Sequence, residues 1–262
     1  MSGRAPDEIW EEAVDEGERR VGRTPAAIAS TGFVGGFDVM LGVLAMAATS
    51  GALTALVGEG PAHLAGSLVF GVGFVFLIVG RGELFTENFL IPIGSVIAGR
   101  AGTASVLRLW TVTFVANYAG IALAALVLTR PGVLGAETLA ATGPVADTLA
   151  GRGAVSATLS AVIAGATMTL LTWLTHAAER DSARILVALV VGFVIAVPSM
   201  NHAVVSFGDL LMAGFAHTTT AGTWEIVRTL LCAILGNVVG GMGLVTLNRL
   251  VMARGEHGHP HQ

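Results

Sequence analysis

Six long apolar segments limit what this chain can fold into more than any other feature of its sequence. A helix needs about 20 mostly apolar residues to cross a bilayer, and each segment is close to that length or longer. The segments are 28–57, 62–80 with a broken continuation to 97, 105–129, 155–177, 183–200 with a broken continuation to 215, and 223–252. Their apolar runs are continuous rather than alternating, which argues against a porin-type barrel. The sequence therefore predicts an all-α membrane protein with six transmembrane helices.

The composition agrees with an integral membrane protein. Of the 262 residues, 53% are hydrophobic and only 12% are charged, and the mean hydropathy is +0.76. A soluble domain carries about twice that charged fraction. The net charge of −4 gives no basic patch for a nucleic-acid partner, and the one cysteine, Cys232, excludes an internal disulfide. The acidic N-terminus does not resemble a cleavable signal peptide.

The arginines indicate how the chain crosses the membrane. If both termini are cytoplasmic, Arg130 and Arg152 lie outside. The cytoplasmic side then holds Arg19, Arg20, Arg23, Arg100, Arg108, Arg180, Arg184, Arg249 and Arg254. This distribution follows the positive-inside rule and predicts a multi-pass protein of the inner cell membrane with both termini in the cytoplasm.

Three parts follow along the chain: a cytoplasmic N-terminal amphipathic helix in 1–26, a six-helix channel domain at 27–252 and a cytoplasmic His-rich tail at 253–262. The spacing of apolar residues predicts the first helix over 7–22, and these residues are Ile9, Trp10, Ala13, Val14 and Val21. This helix serves either packing and assembly or gating. The tail, with His257, His259 and His261, is either a disordered polar segment or an adventitious metal binder.

The two halves of the channel domain resemble each other. The second segment of each half carries a polar interruption, Arg81–Asn88 in the first and 197–209 in the second. The third segments share N-x-x-G, in "ANYAGIA" and "GNVVGGM". With three segments per half, the second half enters the membrane from the opposite side, so the sequence predicts an inverted repeat. Broken helices at matching places in two such halves indicate a transport site.

Three stretches, "GELFTENFLIPI", "NHAVVSFGDLLMAG" and "LGNVVGGMGLV", together resemble the formate/nitrite transporter family over about residues 28–250. The resemblance implies a homopentamer in the bilayer, in which each protomer has an aquaporin-like six-helix fold and its own pore. It also implies passage of small monovalent anions of weak acids, such as formate, nitrite, hydrosulfide or lactate.

The resemblance assigns the pore residues. His202 matches the family's central histidine, and the loop beside the pore centre is represented by Leu84, Phe85 and Thr86, with Thr86 bonding the histidine or the anion. Phe70 matches an aromatic residue at one constriction. Phe74 lines the same wall, and Ile195 falls at the opposite constriction.

The chain departs from the family pattern near the pore, which indicates a divergent branch. Asn201 stands where formate and nitrite members commonly have Glu, and Ser206 stands where the family often has Asn. The chain has no lysine, so Leu149 falls near the place of a vestibule lysine, with Arg152 as a substitute. Gly165 stands in place of a pore-side Asn.

The chemistry of His202 can also be argued from the residues alone. An anion in a dry constriction loses much of its hydration energy. A histidine that titrates near neutrality could protonate the anion, so that the neutral acid crosses. Alternatively it stays neutral and donates a hydrogen bond, or it is a buried histidine satisfied by a backbone carbonyl. Thr86 likewise either contacts the pore or caps the following helix.

The charged residues of the membrane segments leave further alternatives open. Arg81, Glu83 and Glu87 either touch substrate or, as we prefer, pair with one another or with backbone at the break. Asp38 and Asp209 are either functional acids, handling protons or cations, or structural salt bridges and caps.

The leading interpretation is a channel or transporter for a weak-acid anion, with proton coupling through His202 as one mechanism. One alternative is an aquaporin-like pore for neutral solutes, although neither break carries an Asn-Pro-Ala triplet. Another is a divergent family member that carries a different ion. The chain has no nucleotide loop, no set of metal ligands within the membrane and no Ser/His/Asp order, so we expect neither an enzyme nor a cofactor or metal.

Overall fold

The structure is a computed structural model that describes residues 4–256, and within these residues the regular structure is helical. In chain order the helices are α1 (Pro6–Val21), α2 (Pro25–Val57), α3 (Glu59–Val79), α4 (Ile91–Ile97), α5 (Thr103–Leu128), α6 (Ala136–Ala140), α7 (Gly143–Gly151), α8 (Ala154–Ala177), α9 (Asp181–Ala196), α10 (Val205–Phe215), α11 (Thr223–Val238) and α12 (Leu247–Glu256). A 3₁₀ turn at Phe85–Phe89 precedes α4, and a π-helix at Val239–Thr246 joins α11 to α12. The predicted all-α fold is confirmed.

Five helical stretches are long and apolar enough to cross a membrane: α2, α3, α5, α8 and the continuous Thr223–Gly255. The fifth predicted segment, 183–200, differs, because α9 has only 16 residues and ends at Ala196. Val197 keeps helical φ and ψ, but Pro198 supplies no N–H for a further helical hydrogen bond and Ser199 takes a φ of 47°, so the helix does not continue. The chain becomes helical again at Val205. The second interruption is therefore 197–204, shorter than the predicted 197–209.

The first interruption lies where it was predicted. Helix α3 ends at Val79, and Arg81 takes a φ of 60° between two glycines, Gly80 and Gly82. A left-handed residue cannot continue an α-helix, and the flanking glycines relieve crowding around it. We call 80–90 the first break and 197–204 the second break.

Helix α1 lies across one end of the bundle, which we call the inner end. Its apolar side, with Ile9, Trp10 and Val14, packs against Leu90, Ile91 and residues of α8 and α12. The predicted helix 7–22 thus forms one residue earlier, at Pro6–Val21, with the expected apolar residues buried. Thr24 then starts α2, because its hydroxyl accepts a hydrogen bond from the Ala27 amide and Pro25 occupies the first helical position.

The C-terminal boundary differs from the prediction. Helix α12 continues to Glu256, beyond the expected end of the channel domain at 252. The histidines predicted to form the tail, His257, His259 and His261, lie outside the described residues.

Candidate functional site

The two breaks bring Thr86 and His202 together in the interior of the bundle. The Nε2 atom of His202 lies 2.8 Å from the Oγ1 atom of Thr86. Both residues are 0% exposed. The side chains expected to face each other are therefore in direct contact, although 116 residues separate them in the chain.

The hydrogen bonds of the ring fix which nitrogen of His202 carries the proton. The backbone N–H of Val205 donates to Nδ1 at 3.1 Å. A backbone amide can only donate, so Nδ1 is an acceptor without a proton. The neutral ring then carries its proton on Nε2 and donates it to Thr86. In a doubly protonated ring, the proton on Nδ1 would face the hydrogen of the Val205 N–H, and the two would repel. This arrangement therefore favours neutral histidine.

The Thr86 hydroxyl has spare donor capacity. Its oxygen accepts from His202, and the hydroxyl makes no other hydrogen bond within residues 4–256. Its hydrogen is thus available to a bound acceptor. The alternative that Thr86 caps the following helix is wrong, because it contacts no backbone N–H; Glu87 instead accepts the Leu84 amide at 2.8 Å.

One asparagine holds the first break. Asn117, on α5, accepts a hydrogen bond from the Phe85 amide at 2.8 Å. Its side-chain amide donates to the carbonyl oxygens of Gly32 at 2.6 Å and Glu83 at 2.8 Å. Leu84 lies between the two bonded residues of the break, Glu83 and Phe85, so these bonds fix the backbone on both sides of Leu84.

A second asparagine holds the second break in the same pattern. Asn237, on α11, accepts from the Ala203 amide at 2.9 Å and donates to the carbonyls of Ala161 at 2.8 Å and Asn201 at 3.1 Å. His202 lies between the two bonded residues of the break, Asn201 and Ala203. The two breaks thus share one set of backbone contacts, with Leu84 and His202 at equivalent places.

Close helix contacts make room for the two asparagines. A Cβ atom on Gly36 of α2 would collide with the backbone of Asn117, and one on Gly165 of α8 would collide with the backbone of Asn237. Gly165 is therefore a packing position between α8 and α11. An asparagine would not fit at this position in the structure, and the prediction that Gly165 stands in place of a pore-side Asn of the family stays a prediction.

The charged residues of the first break serve its structure. Glu83 forms an ion pair with Arg23 of the segment before α2 and accepts from the Asn88 amide at 2.8 Å. Arg20 of α1 donates to the Asn88 side-chain oxygen at 3.2 Å. Glu87 meets the preferred expectation of a bond to backbone at the break, because it accepts the Leu84 amide, whereas Glu83 pairs with Arg23 outside the break and not with Arg81 or Glu87.

Two cavities reach toward the site from opposite ends. The inner cavity has a volume of about 430 Å³, and its lining includes Arg20, Arg81, Glu83, Glu87 and Arg184. The outer cavity has a volume of about 720 Å³, and its lining includes Glu59, His63, Glu137, Pro198 and Ser199. Thr86 and His202 line neither cavity, so protein separates them from both.

Four apolar residues that the resemblance assigns to the pore lie in one buried cluster. Phe70, Phe74, Leu84 and Ile195 are at most 1% exposed and belong to one buried cluster. The rings of Phe70 and Phe74 meet edge to face, with centroids 5.4 Å apart. Phe85 lies elsewhere, because its ring packs against Phe89, Trp110 and Phe114.

Asn201 points away from the polar pair. Its side-chain amide donates to the carbonyls of Ala157 on α8 at 3.2 Å and Thr229 on α11 at 3.0 Å, while its side-chain oxygen is buried without a partner in the described residues. Arg152 donates to the carbonyls of Pro198 and Ser199 at the outer side of the second break. Leu149 is buried in an apolar cluster between α7 and α10.

The two acids of the membrane segments, Asp38 and Asp209, form no hydrogen bond with Thr86 or His202 among the described residues. Asp38 is 8% exposed, and its Oδ2 atom has no hydrogen-bond partner within residues 4–256. A Cβ on Gly82 would lie 3.0 Å from that oxygen, which places Asp38 behind the first break. Asp209 is 9% exposed on α10. Neither acid forms an ion pair among the described residues, so the salt-bridge alternative is wrong for both.

Sequence reasoning noted Asn117 and Asn237 only as part of a shared N-x-x-G and did not assign their roles. It also missed Tyr118, whose hydroxyl donates to the Ala203 carbonyl at 2.9 Å beside His202. The available signals were an asparagine at the same place in both halves and the chain's one tyrosine within a membrane segment.

Comparisons with known proteins show a matching family and a similar fold. The sequence profile of the family described as Formate/nitrite transporter matches residues 7–251. The chain is 27% identical over 252 residues to the formate channel BtFdhC of Bacillus thuringiensis, covering 94% of each protein. Among solved structures, one described as an FNT family ion channel superposes with a TM-score of 0.82 at 18% identity, over 97% of this chain and 99% of that one. A pentameric formate channel with formate bound gives a TM-score of 0.72 at 17% identity, over 87% and 97% of the two chains.

Proposed function

The chain belongs to the formate/nitrite transporter family, and from this premise we propose that it is a membrane channel or transporter for a small monovalent weak-acid anion, such as formate or nitrite. The observation that carries the proposal is the Thr86–His202 contact, in which two fully buried hydrogen-bonding side chains of the two breaks meet. We infer that this pair and the apolar cluster with Phe70, Phe74 and Ile195 form the barrier between the inner and outer cavities. A small anion that leaves either cavity meets this pair.

The pair offsets part of the anion's desolvation. A polar group moved into an apolar site without a hydrogen bond loses several kcal/mol, and a charge loses more. The hydroxyl hydrogen of Thr86 supplies one donor to the anion. His202 strengthens that donor, because a hydroxyl that accepts a hydrogen bond donates more strongly.

The contacts of His202 favour the neutral mechanism over protonation by the histidine. Its Nδ1 atom is occupied by the Val205 amide, so a second ring proton has no acceptor there. Any proton that crosses with the anion then binds it in a cavity, before the anion reaches the barrier. On this mechanism His202 orients Thr86 and does not itself exchange protons.

In the cell we place the protein in the inner membrane as a homopentamer, with a pore in each protomer and both termini in the cytoplasm. The arginine-rich inner end then faces the cytoplasm, as the positive-inside rule requires. Apolar residues exposed on the sides of the bundle would contact lipid or neighbouring protomers.

The experiment is anion flux into liposomes that contain the purified protein, with formate, nitrite, hydrosulfide and acetate gradients at several pH values. Thr86→Val keeps the shape and removes the donor, so formate flux should fall by about one to two orders of magnitude. Thr113→Val is the matched control, because the Thr113 hydroxyl is buried without a hydrogen-bond partner in the described residues. It should keep wild-type flux.

Two results would contradict the proposal. Absence of anion flux through the wild-type protein, together with rapid entry of glycerol, would favour a neutral-solute pore. Unchanged formate flux in Thr86→Val would remove the hydroxyl from the transport path.

A further inference from the structure

Six aromatic rings form a continuous array between the two breaks. Three of them, Trp110, Phe114 and Tyr118, stand at four-residue spacing on α5, so they share one face of that helix. The others come from the first break and from α10. Neighbouring rings in the array have centroids 3.8 to 5.9 Å apart, and the rings belong to Phe89, Trp110, Phe85, Phe114, Tyr118 and Phe207.

Each end of the array is bonded to the backbone of a break. At one end the indole N–H of Trp110 donates to the Asn88 carbonyl at 2.9 Å. At the other the Tyr118 hydroxyl donates to the Ala203 carbonyl at 2.9 Å, and its ring stacks on Phe207 with centroids 3.8 Å apart. The stacked ring restricts the rotamers of Tyr118 and so the direction of its hydroxyl.

The Ala203 peptide is the neighbour of His202, and its carbonyl depends on Tyr118. No other hydrogen bond to this carbonyl is formed among the described residues. Ala203 is 0% exposed, so water does not replace the bond. Loss of the hydroxyl would leave a buried carbonyl unsatisfied at membrane depth, where such groups are costly.

Adjacent residues of α5 thus hold opposite sides of the site. Asn117 bonds the Phe85 amide, next to Thr86, and Tyr118 bonds the Ala203 carbonyl, next to His202. Successive residues of one helix are a short, rigid link. The separation of Thr86 and His202 therefore depends directly on this single stretch of α5.

We propose that Tyr118 is a positioning residue for His202: its hydroxyl holds the second break so that the imidazole meets Thr86. The role in transport rests on the proposed function, because it concerns the same polar pair. The role in structure does not, because the held backbone can be measured without any substrate.

The experiment compares wild type, Tyr118→Phe and the control Thr111→Val by hydrogen exchange and by flux. Thr111 is on the same helix and also donates to a backbone carbonyl, that of Leu107, but its side chain is exposed and its carbonyl partner belongs to α5 and to neither break. In Tyr118→Phe the amides of 199–206 should exchange about tenfold or more faster, because loss of one buried hydrogen bond lowers the local opening energy. The formate-to-acetate flux ratio should also fall by about tenfold, with Thr111→Val unchanged in both measurements.

The two proposals fail differently. Unchanged exchange at 199–206 in Tyr118→Phe overturns the positioning role whatever the flux. If wild type carries no weak-acid anion, the proposed function fails, while exchange still decides the structural role. Should Tyr118→Phe not fold, Phe207→Leu keeps the hydroxyl but removes the stacked ring; faster exchange at 199–206 supports the role, and wild-type exchange overturns it.

Discussion

At the scale of single residues, two asparagines do more for the site than any charged group. Asn117 and Asn237 each bond three backbone groups, two of them in a break, where the chain leaves helical geometry, and one a carbonyl of a neighbouring helix. In a membrane such groups cannot turn to water, so one side chain with donors and an acceptor replaces the missing helical bonds. This explains how a polar interruption is tolerated inside an apolar segment.

We predict that Asn117→Leu and Asn237→Leu are each strongly destabilising. Each removes three hydrogen bonds worth about 1 kcal/mol apiece, and the melting temperature in detergent should fall by about 5 °C or more. Asn248→Leu is the control, since Asn248 is exposed and bonds only the Leu244 carbonyl of its own helix. A wild-type melting temperature in either break variant would show that water or a rearranged backbone replaces the asparagine.

At the scale of elements, α1 is attached to the inner end by charge as well as by its apolar side. Burial alone would raise the pKa of Glu16, but its hydrogen bond with Arg19 and the charge of Arg20 lower that pKa to about 2. Burial also opposes the charge of Glu12, yet the Arg4 guanidinium beside it lowers the pKa of that carboxyl below its usual value. Arg19 and Arg20 lie on α1 itself, so Glu16 acts on the attachment through Arg20, which it holds and which donates to Asn88 of the first break.

The lowered pKa values set the pH range of this attachment. A carboxyl whose pKa is depressed by folding stabilises the folded state above its unfolded pKa of about 4.3, and the contribution is lost as pH falls toward the folded value. We predict that α1 stays attached from pH 8 to 5 and detaches progressively between about pH 4.5 and 2. The measurement is iodide quenching of Trp10 fluorescence as a function of pH, with the signal of the Trp10→Phe variant subtracted. Quenching should rise as α1 detaches.

A pair of variants tests the assignment to Glu16. Glu16→Gln should raise Trp10 quenching already at neutral pH. Glu18→Gln should not, because the Glu18–Arg100 pair is about half exposed and such pairs contribute little. Detachment near pH 6 in the wild type would instead implicate a histidine and support the gate alternative for α1.

At the scale of the whole molecule, the sides of the bundle are apolar. Large side chains there are 62–77% exposed, including those of Leu56, Val155, Leu159, Trp224 and Leu235. Exposed apolar patches of this size are unfavourable in water, and in a membrane they are buried either by lipid or by other protomers of the same chain. The solved formate channel with a similar fold is described as pentameric.

We therefore predict a mass of about five times 26.7 kDa for the protein extracted in mild detergent, measured by native mass spectrometry. Leu159→Glu on α8 and Leu235→Glu on α11, at exposed residues of two helices that pack together, show whether this face lies between protomers. A charge at the interface should give monomers, whereas one facing lipid should lower insertion into the membrane without changing the mass of the extracted assembly. A monomeric wild type would contradict the prediction.

The sequence by itself determined that the chain is a multi-pass membrane protein, that it is helical and where each of the two breaks begins. These depend on local composition: apolar runs longer than a bilayer, the glycines around Arg81 and the proline after Val197 stop helices whatever the rest of the chain does. The amphipathic pattern of α1 is local in the same way.

Only the tertiary structure decided what the polar residues touch. Asn201 and Gly165, assigned by alignment to the pore, face neighbouring helices, whereas Asn117, Asn237 and Tyr118 hold the breaks. Which side chain meets which backbone group depends on the crossing of helices distant in sequence, and a shift of one residue turns a side chain by about 100° around its helix. Such a shift leaves the composition of the helix unchanged, but it moves a side chain from the pore to the contact with a neighbouring helix.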